Sequence, residues 1–152
     1  MKRIVALVLV MLLVFLCSAA LAQRVECPVG GFSLTIPDHF SEGPVSPGSD
    51  LWFSWRGNKL TVQVYVSYQG EVSLSDLFVV LTGNETEDRF VKINGMDMRL
   101  IRSEDPGSIC VSYTWMDRGN SVTMEFTWSP DDPSVSSTVN SIINSISFDA
   151  GH

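Results

Sequence analysis

The ten residues VKINGMDMRL, Val91 to Leu100, decide how the rest of the chain is read. Asn94-Gly95 stands in the middle of a run in which apolar and polar residues alternate. Both residues tolerate positive φ, and a two-residue type I′ turn needs it twice, so the pair predicts a tight β-hairpin. In the register set by that turn, Ile93 faces Met96 and Val91 faces Met98 on one side. Lys92 faces Asp97 on the other, an opposite-charge pair. Every residue of the stretch then has a structural role, and the turn reads as a corner of a scaffold rather than a ligand loop.

Outward from this hairpin the same two-residue period recurs. Leu60, Val62, Val64 and Val66 share one face, while Thr61, Gln63, Tyr65 and Ser67 share the other. Ile109, Val111, Tyr113 and Trp115 alternate with Cys110, Ser112, Thr114 and Met116. After a turn at Asp117-Arg-Gly-Asn120, Val122, Met124, Phe126 and Trp128 alternate with Ser121, Thr123, Glu125 and Thr127. Leu51–Trp55 pairs with Leu60–Tyr68 across Arg56-Gly-Asn-Lys59. Phe32–Ile36 is a first short strand halted by Pro37. Residues 37–50 hold three prolines and two glycines and form an irregular loop.

Two segments carry a helical period instead. Ser73 caps a helix in which Leu74, Leu77, Phe78 and Leu81 form one stripe, with Asp76 favouring the positive end of its dipole and Gly83 ending it. Asp132-Pro133 starts a second, an N-cap aspartate followed by proline at the first helical position. Val135, Val139, Ile142, Ile143 and Ile146 are its stripe, and Ser145–Phe148 runs on into a short edge strand. Strands joined by tight turns are antiparallel, so the sequence predicts an α+β domain: an antiparallel β-sheet of hairpins packed with two amphipathic helices.

The first residues set the compartment. Lys2 and Arg3 precede an apolar run from Ile4 to Leu16, and Ser18-Ala-Ala-Leu-Ala22 supplies small residues for a cut after Ala22, the anatomy of a secretory signal peptide. Leu16 before Cys17 does not fit a lipoprotein signal. The expected organisation is a signal peptide at 1–22, a lead-in at 23–30, a single α+β domain at 31–148 and a tail at 149–152. Left uncut, the apolar segment is long enough to tether the protein to a membrane. Cleavage leaves 130 residues, eight basic against seventeen acidic, a charge of about −9 that opposes nucleic acid and anionic lipid. Cys27 and Cys110 remain, and an even count in an exported chain predicts one disulfide between them, closing a loop of about 84 residues.

Chemistry-bearing motifs are absent. The histidines are His39, in the 37–50 loop, and His152, the last residue. There is no CxxC, metal-binding His pair, phosphate-cradling glycine loop or nucleophile elbow. Glu85, Glu87 and Asp88, or Asp131 and Asp132, lack the ligand spacing of a calcium loop, so no metal or cofactor is expected. Asn84-Glu-Thr86 matches a glycosylation acceptor. Trp52 and Trp55 fall on opposite faces of a regular strand, so one of them, with Tyr65 and the 37–50 loop, is the expected contact surface.

The chain resembles the PsbP-like fold, shared by the photosystem II extrinsic P protein, the Ran-binding Mog protein and DcrB-like bacterial envelope proteins. The resemblance rests on GFSLTIPDHF as an opening strand ending in proline, the helix after a long hairpin, the VKINGMDMRL hairpin, and VNSIINSISF as a helix running into a final strand. It spans roughly residues 31–148 and implies helices on both sides of the sheet. The polar second face, with Gln63, Tyr65, Ser112, Thr114, Thr123, Glu125 and Thr127, permits an alternative with both helices on one side, as in a cystatin-like arrangement. No functional residue is carried over. The expected function is a small exported, non-enzymatic binding or accessory domain, a monomer whose partner is a protein or small ligand. The alternatives are a secreted hydrolase using His39 in the 37–50 loop and an envelope protein tethered by an uncleaved signal segment.

Overall fold

A computed structural model of the chain describes residues 22–46, 48–57, 59–77 and 83–149. The expected signal segment lies outside these residues except for Ala22, as does all of the expected tail but Asp149. The central hairpin forms as its residues dictate. Asn94 has φ +50° and Gly95 φ +89°, joining β6 (Glu85–Ile93) to β7 (Met96–Asp105). Ile93 pairs with Met96, Lys92 with Asp97 and Val91 with Met98, and Lys92 Nζ lies 2.9 Å from Asp97 Oδ1. The side chain of Asn94 does more than permit the turn. Its Nδ2 donates to the Ile146 carbonyl at 2.7 Å and to the Asn144 carbonyl at 3.3 Å, tying the hairpin tip to the end of a helix.

That helix, α1 (Val135–Asn144), buries Val135, Val139, Ile142 and Ile143, and Ile146 follows them into the interior. Its regular turns begin after Ser134, not at Pro133. Asp132 still accepts the Ser134 N–H at 3.0 Å, as a capping carboxylate does, from a turn just ahead of the helix. The chain continues as a seven-stranded antiparallel sheet with spatial order β3 (Ser41–Glu42), β4 (Leu51–Arg56), β5 (Leu60–Tyr68), β9 (Asn120–Trp128), β8 (Ser108–Asp117), β7, β6. A three-stranded sheet, β1 (Ala22–Cys27), β2 (Phe32–Pro37) and β10 (Ser147–Phe148), packs with α1 over the large sheet's apolar face. Val62, Val111, Met124 and Ile142 meet there in one buried cluster.

Several expectations change. The segment expected as a lead-in is strand β1, an edge strand exposed except for Val25 and Cys27. Among the described residues there is one helix, not two. Of the first expected helix, Ser73–Leu77 forms a turn in which Leu77 N–H donates to the Ser73 carbonyl at 3.1 Å. Residues 78–82 lie outside the described residues. Gly83 has the expected positive φ, +88°. The disulfide is not present: Cys27 and Cys110 are unbridged. Cys27 belongs to the core cluster, whereas Cys110 alternates with Ile109 and Val111 and therefore points to the opposite face of β8. The sheet itself separates the two thiols, and a bridge needs Cα atoms within about 7 Å.

The second face is polar but not bare. Thr114, Ser121 and Ile101 are buried on it, and the Thr114 and Thr123 hydroxyls lie 3.0 Å apart across β8 and β9. At the end of β5 Gln69 and Gly70 donate to the Gly119 carbonyl, and beside the start of β6 Glu104 donates to the Asn84 carbonyl.

Candidate functional site

Of the two tryptophans considered for a contact surface with Tyr65, Trp52 reaches the surface and Trp55 does not. Trp55 is only 1% exposed and stacks on Phe53 with centroids 5.1 Å apart, inside the core. Trp52 sits in a bulge of β4 between Leu51 and Phe53 and is 41% exposed. Tyr65 lies on the polar face, half-buried. Its phenol is pushed up by burial and then by the nearby Glu125 and Cys110.

Around Tyr65 the polar face holds a compact group. Cys110 pairs with Thr127 and Ser103, and Glu125 with Ser112 and Gln63. Burial raises the Cys110 thiol, Glu125 raises it further, and hydrogen bonds with Thr127 and Ser103 act the other way. Burial also raises Cys27. A thiol held protonated is a weak nucleophile. Glu125 is likewise raised by burial, more than its hydrogen bonds with Cys110 and Thr127 lower it. Such a carboxyl binds more protons folded than unfolded, so its contribution makes stability fall as pH rises from about 4 through the raised value. The variant Glu125→Gln is therefore expected to melt higher than the parent near neutral pH, with the difference closing below about pH 4. Thermal denaturation of both proteins across that range checks it; a pH-independent difference would exclude burial of the charge as the cause.

Two clefts flank α1. One, of about 220 Å³, is lined by His39, Phe40, Lys59, Leu60, Asp132 and Val135, among others. Lys59 Nζ is 3.0 Å from Asp132 Oδ2. Hydrogen bonds from the Ser134 hydroxyl, Lys59 and the Ser134 N–H hold the Asp132 carboxyl down at about 2. The Ser134 hydroxyl donates its proton to Asp132 at 2.6 Å, while His39 lies against Phe40. The serine that shares this cleft with the histidine is thus committed to the aspartate.

The other cleft, also about 220 Å³, opens between α1 and β6–β9. Leu100, Val111, Tyr113 and Trp128 form its floor, and Glu87, Arg89 and Arg102 its rim. The Arg102 guanidinium carbon lies 6.0 Å from the Trp128 ring centre, at the limit of a cation–π contact. Arg102 Nε also donates to Glu104 at 2.8 Å, and Arg89 pairs with Glu87. Burial pushes the Tyr113 phenol up, against the pull of Arg89 and with that of Glu87. The sequence held a signal for this cleft. Continuing the parity of Val91 and Ile93 back along β6 puts Arg89 and Glu87 in apolar-face positions, and Glu87 pairs directly with Arg102.

Among the described residues no three His, Cys, Asp or Glu side chains sit together as metal ligands, and no helix is long and apolar enough to cross a membrane. No family model and no curated protein matches the sequence. Solved structures do match in shape. Cyanobacterial PsbP (CyanoP) from Synechocystis aligns with TM-score 0.68 at 14% identity, over 86% of this chain and 94% of that one. A Bacteroides thetaiotaomicron protein aligns with TM-score 0.59 at 14% identity, covering 85% of this chain and 49% of its own. The Saccharomyces cerevisiae Ran-binding protein Mog1p gives TM-score 0.50 at 8% identity, over 86% and 96%. The chain therefore has a PsbP-like α+β fold, in preference to a cystatin-like one.

Proposed function

We propose that the protein is a small accessory or binding domain without catalysis of its own, exported to the cell envelope or extracellular space, and that its ligand seats in the cleft between α1 and β6–β9. The observation that carries this reading is the make-up of the cleft. An apolar floor with two aromatic rings meets a rim of opposed charges, the combination that small-ligand sites and protein anchors both use. The partner is an unidentified protein or small ligand. Nucleic acid is a poor match for a chain with seventeen acidic residues and ten basic ones. The protonated thiols and the committed Ser134 support a non-enzymatic role. Export is supported by the fit between cleavage and fold: a cut after Ala22 removes a single residue of β1 and leaves Gln23–Cys27 paired with β2.

Amide and indole NMR shifts of the labelled protein, titrated with small-molecule and protein fractions of the producing cells' envelope and medium, test the site. Shifts confined to Tyr113, Trp128, Arg102 and Val139 are expected. Shifts centred instead on His39, Lys59 and Thr138 would move the site to the other cleft. Intact mass of the exported form, starting at Gln23, tests the localisation, and a form retaining Met1 would support a tether.

A further inference from the structure

We propose that β6 pairs antiparallel with β6 of a second copy of this chain, about a two-fold axis through Phe90. The sequence reading leaves the chain a monomer, but the two ends of the large sheet are finished differently. At one end β3 has two residues; at the other β6 has nine, with β7 its strand neighbour among the described residues. Near the middle of β6 Phe90 is 59% exposed, flanked along the strand by Asp88, Arg89 and Lys92.

The turn fixes which backbone groups of β6 look outward. A two-residue hairpin makes Ile93 and Met96 a hydrogen-bonded pair, so Ile93, Val91 and Arg89 turn their N–H and C=O toward β7. Lys92, Phe90 and Asp88 turn theirs away from the sheet. A symmetric antiparallel partner must set these even-numbered residues opposite one another, which requires the axis to pass through a residue. An axis through Glu87, Asp88, Arg89 or Lys92 sets that charge against itself, and like charges directly opposite are destabilising. Through Thr86 it sets Glu85 against Glu87. Through Val91 it opposes Phe90 to Lys92 and makes no ion pair. Through Phe90 it stacks the two phenylalanines on the dyad and sets Asp88 opposite Lys92 of the second copy, twice.

Both charges are already held in place for this. Arg99 grips Asp88 with two bonds, 2.9 and 2.8 Å, and Asp97 holds Lys92 at 2.9 Å. The joint creates two rows of alternating sign: Arg99, Asp88, Lys92 of the second copy, Asp97 of the second copy. Charges along an edge strand ordinarily block pairing; here they oppose the registers that set like charges together and favour the one that gains two ion pairs.

Sedimentation of the purified protein across a concentration series tests the proposal, together with amide exchange at both ends of the series. The average mass is expected to rise toward that of a dimer. The amides of Asp88, Phe90 and Lys92 should become protected only at high concentration, while those of Arg89 and Val91 are protected throughout. Phe90→Lys, at an exposed position, should keep its melting temperature in dilute solution and stay monomeric. Asp88→Lys and Lys92→Asp should each weaken association about tenfold or more, and an equal mixture of the two should restore it. A protein that stays monomeric up to about 1 mM, a dimer untouched by Phe90→Lys, or a dimer whose Phe90 amide exchanges freely would each overturn it.

Discussion

Replacing Trp115 by alanine is expected to lower the unfolding free energy by about 3–5 kcal/mol, the range for emptying a large aromatic site. Trp115 has no exposed surface, and it is the joint between the two sheets. It projects from β8 and meets Phe32 of β2 edge-on at 5.1 Å and Phe148 of β10 at 5.9 Å. Each such pair adds about 0.5–1.5 kcal/mol beyond area burial, so the loss falls on the contact between the small sheet and the large one. Trp115→Phe is the informative companion. The Trp115 indole N–H is buried without a hydrogen-bond partner, so phenylalanine gives up ring volume but relieves a desolvated donor. Its expected cost is under about 2 kcal/mol. Urea denaturation should show a lower midpoint with the slope preserved. A loss below about 1 kcal/mol for the alanine variant would mean that the sheets do not depend on this contact.

The large sheet was legible in the sequence because it is buried unequally. Where one face of a strand meets the core and the other does not, the period of two is written into residue type, as in β5, β8 and β9. The central register was legible because a type I′ turn leaves no freedom once Asn94 and Gly95 are seen. Strand β1 was not legible: it is a mostly exposed edge, and its two inward residues, Val25 and Cys27, make too short a pattern. The disulfide expectation came from counting cysteines, although parity already argued against it. Cys110 shares its face with Ser112 and Thr114, away from the core that Cys27 joins. Which of Trp52 and Trp55 faces outward was not legible, because the sequence alone does not choose between them; Trp55 pairs with Val62 on the core face, while Trp52 sits in the β4 bulge at the surface. The cleft under α1 escaped because its parts are scattered. Glu87, Arg102, Trp128 and Val139 lie on three strands and a helix, and only the pairing of those strands makes them neighbours.

The hairpin that organises the sheet also carries the second large effect, and its two contributions can be measured apart. Asn94→Ala should cost about 2–3 kcal/mol. About 1–2 of this comes from forcing an alanine into the left-handed region at φ +50°, and about 1 from the lost hydrogen bonds to the carbonyls of Ile146 and Asn144. Asn94→Gly keeps the turn and loses only the tether, apart from a few tenths of a kcal/mol gained by the unfolded chain. The difference between the two variants therefore isolates the backbone, and the difference between glycine and parent isolates the tie from hairpin to helix. Gly95→Ala is the control for the backbone alone, because a Cβ there meets nothing within 4 Å and its φ of +89° supplies the whole cost. If the tether matters, amide exchange at the end of α1 and in β10 should speed up in Asn94→Gly but not in Gly95→Ala, since only the former frees the carbonyls of Asn144, the last residue of the helix, and of Ile146. Equal losses in the alanine and glycine variants would place the whole effect in the tether and none in the turn, contrary to the reading of these ten residues.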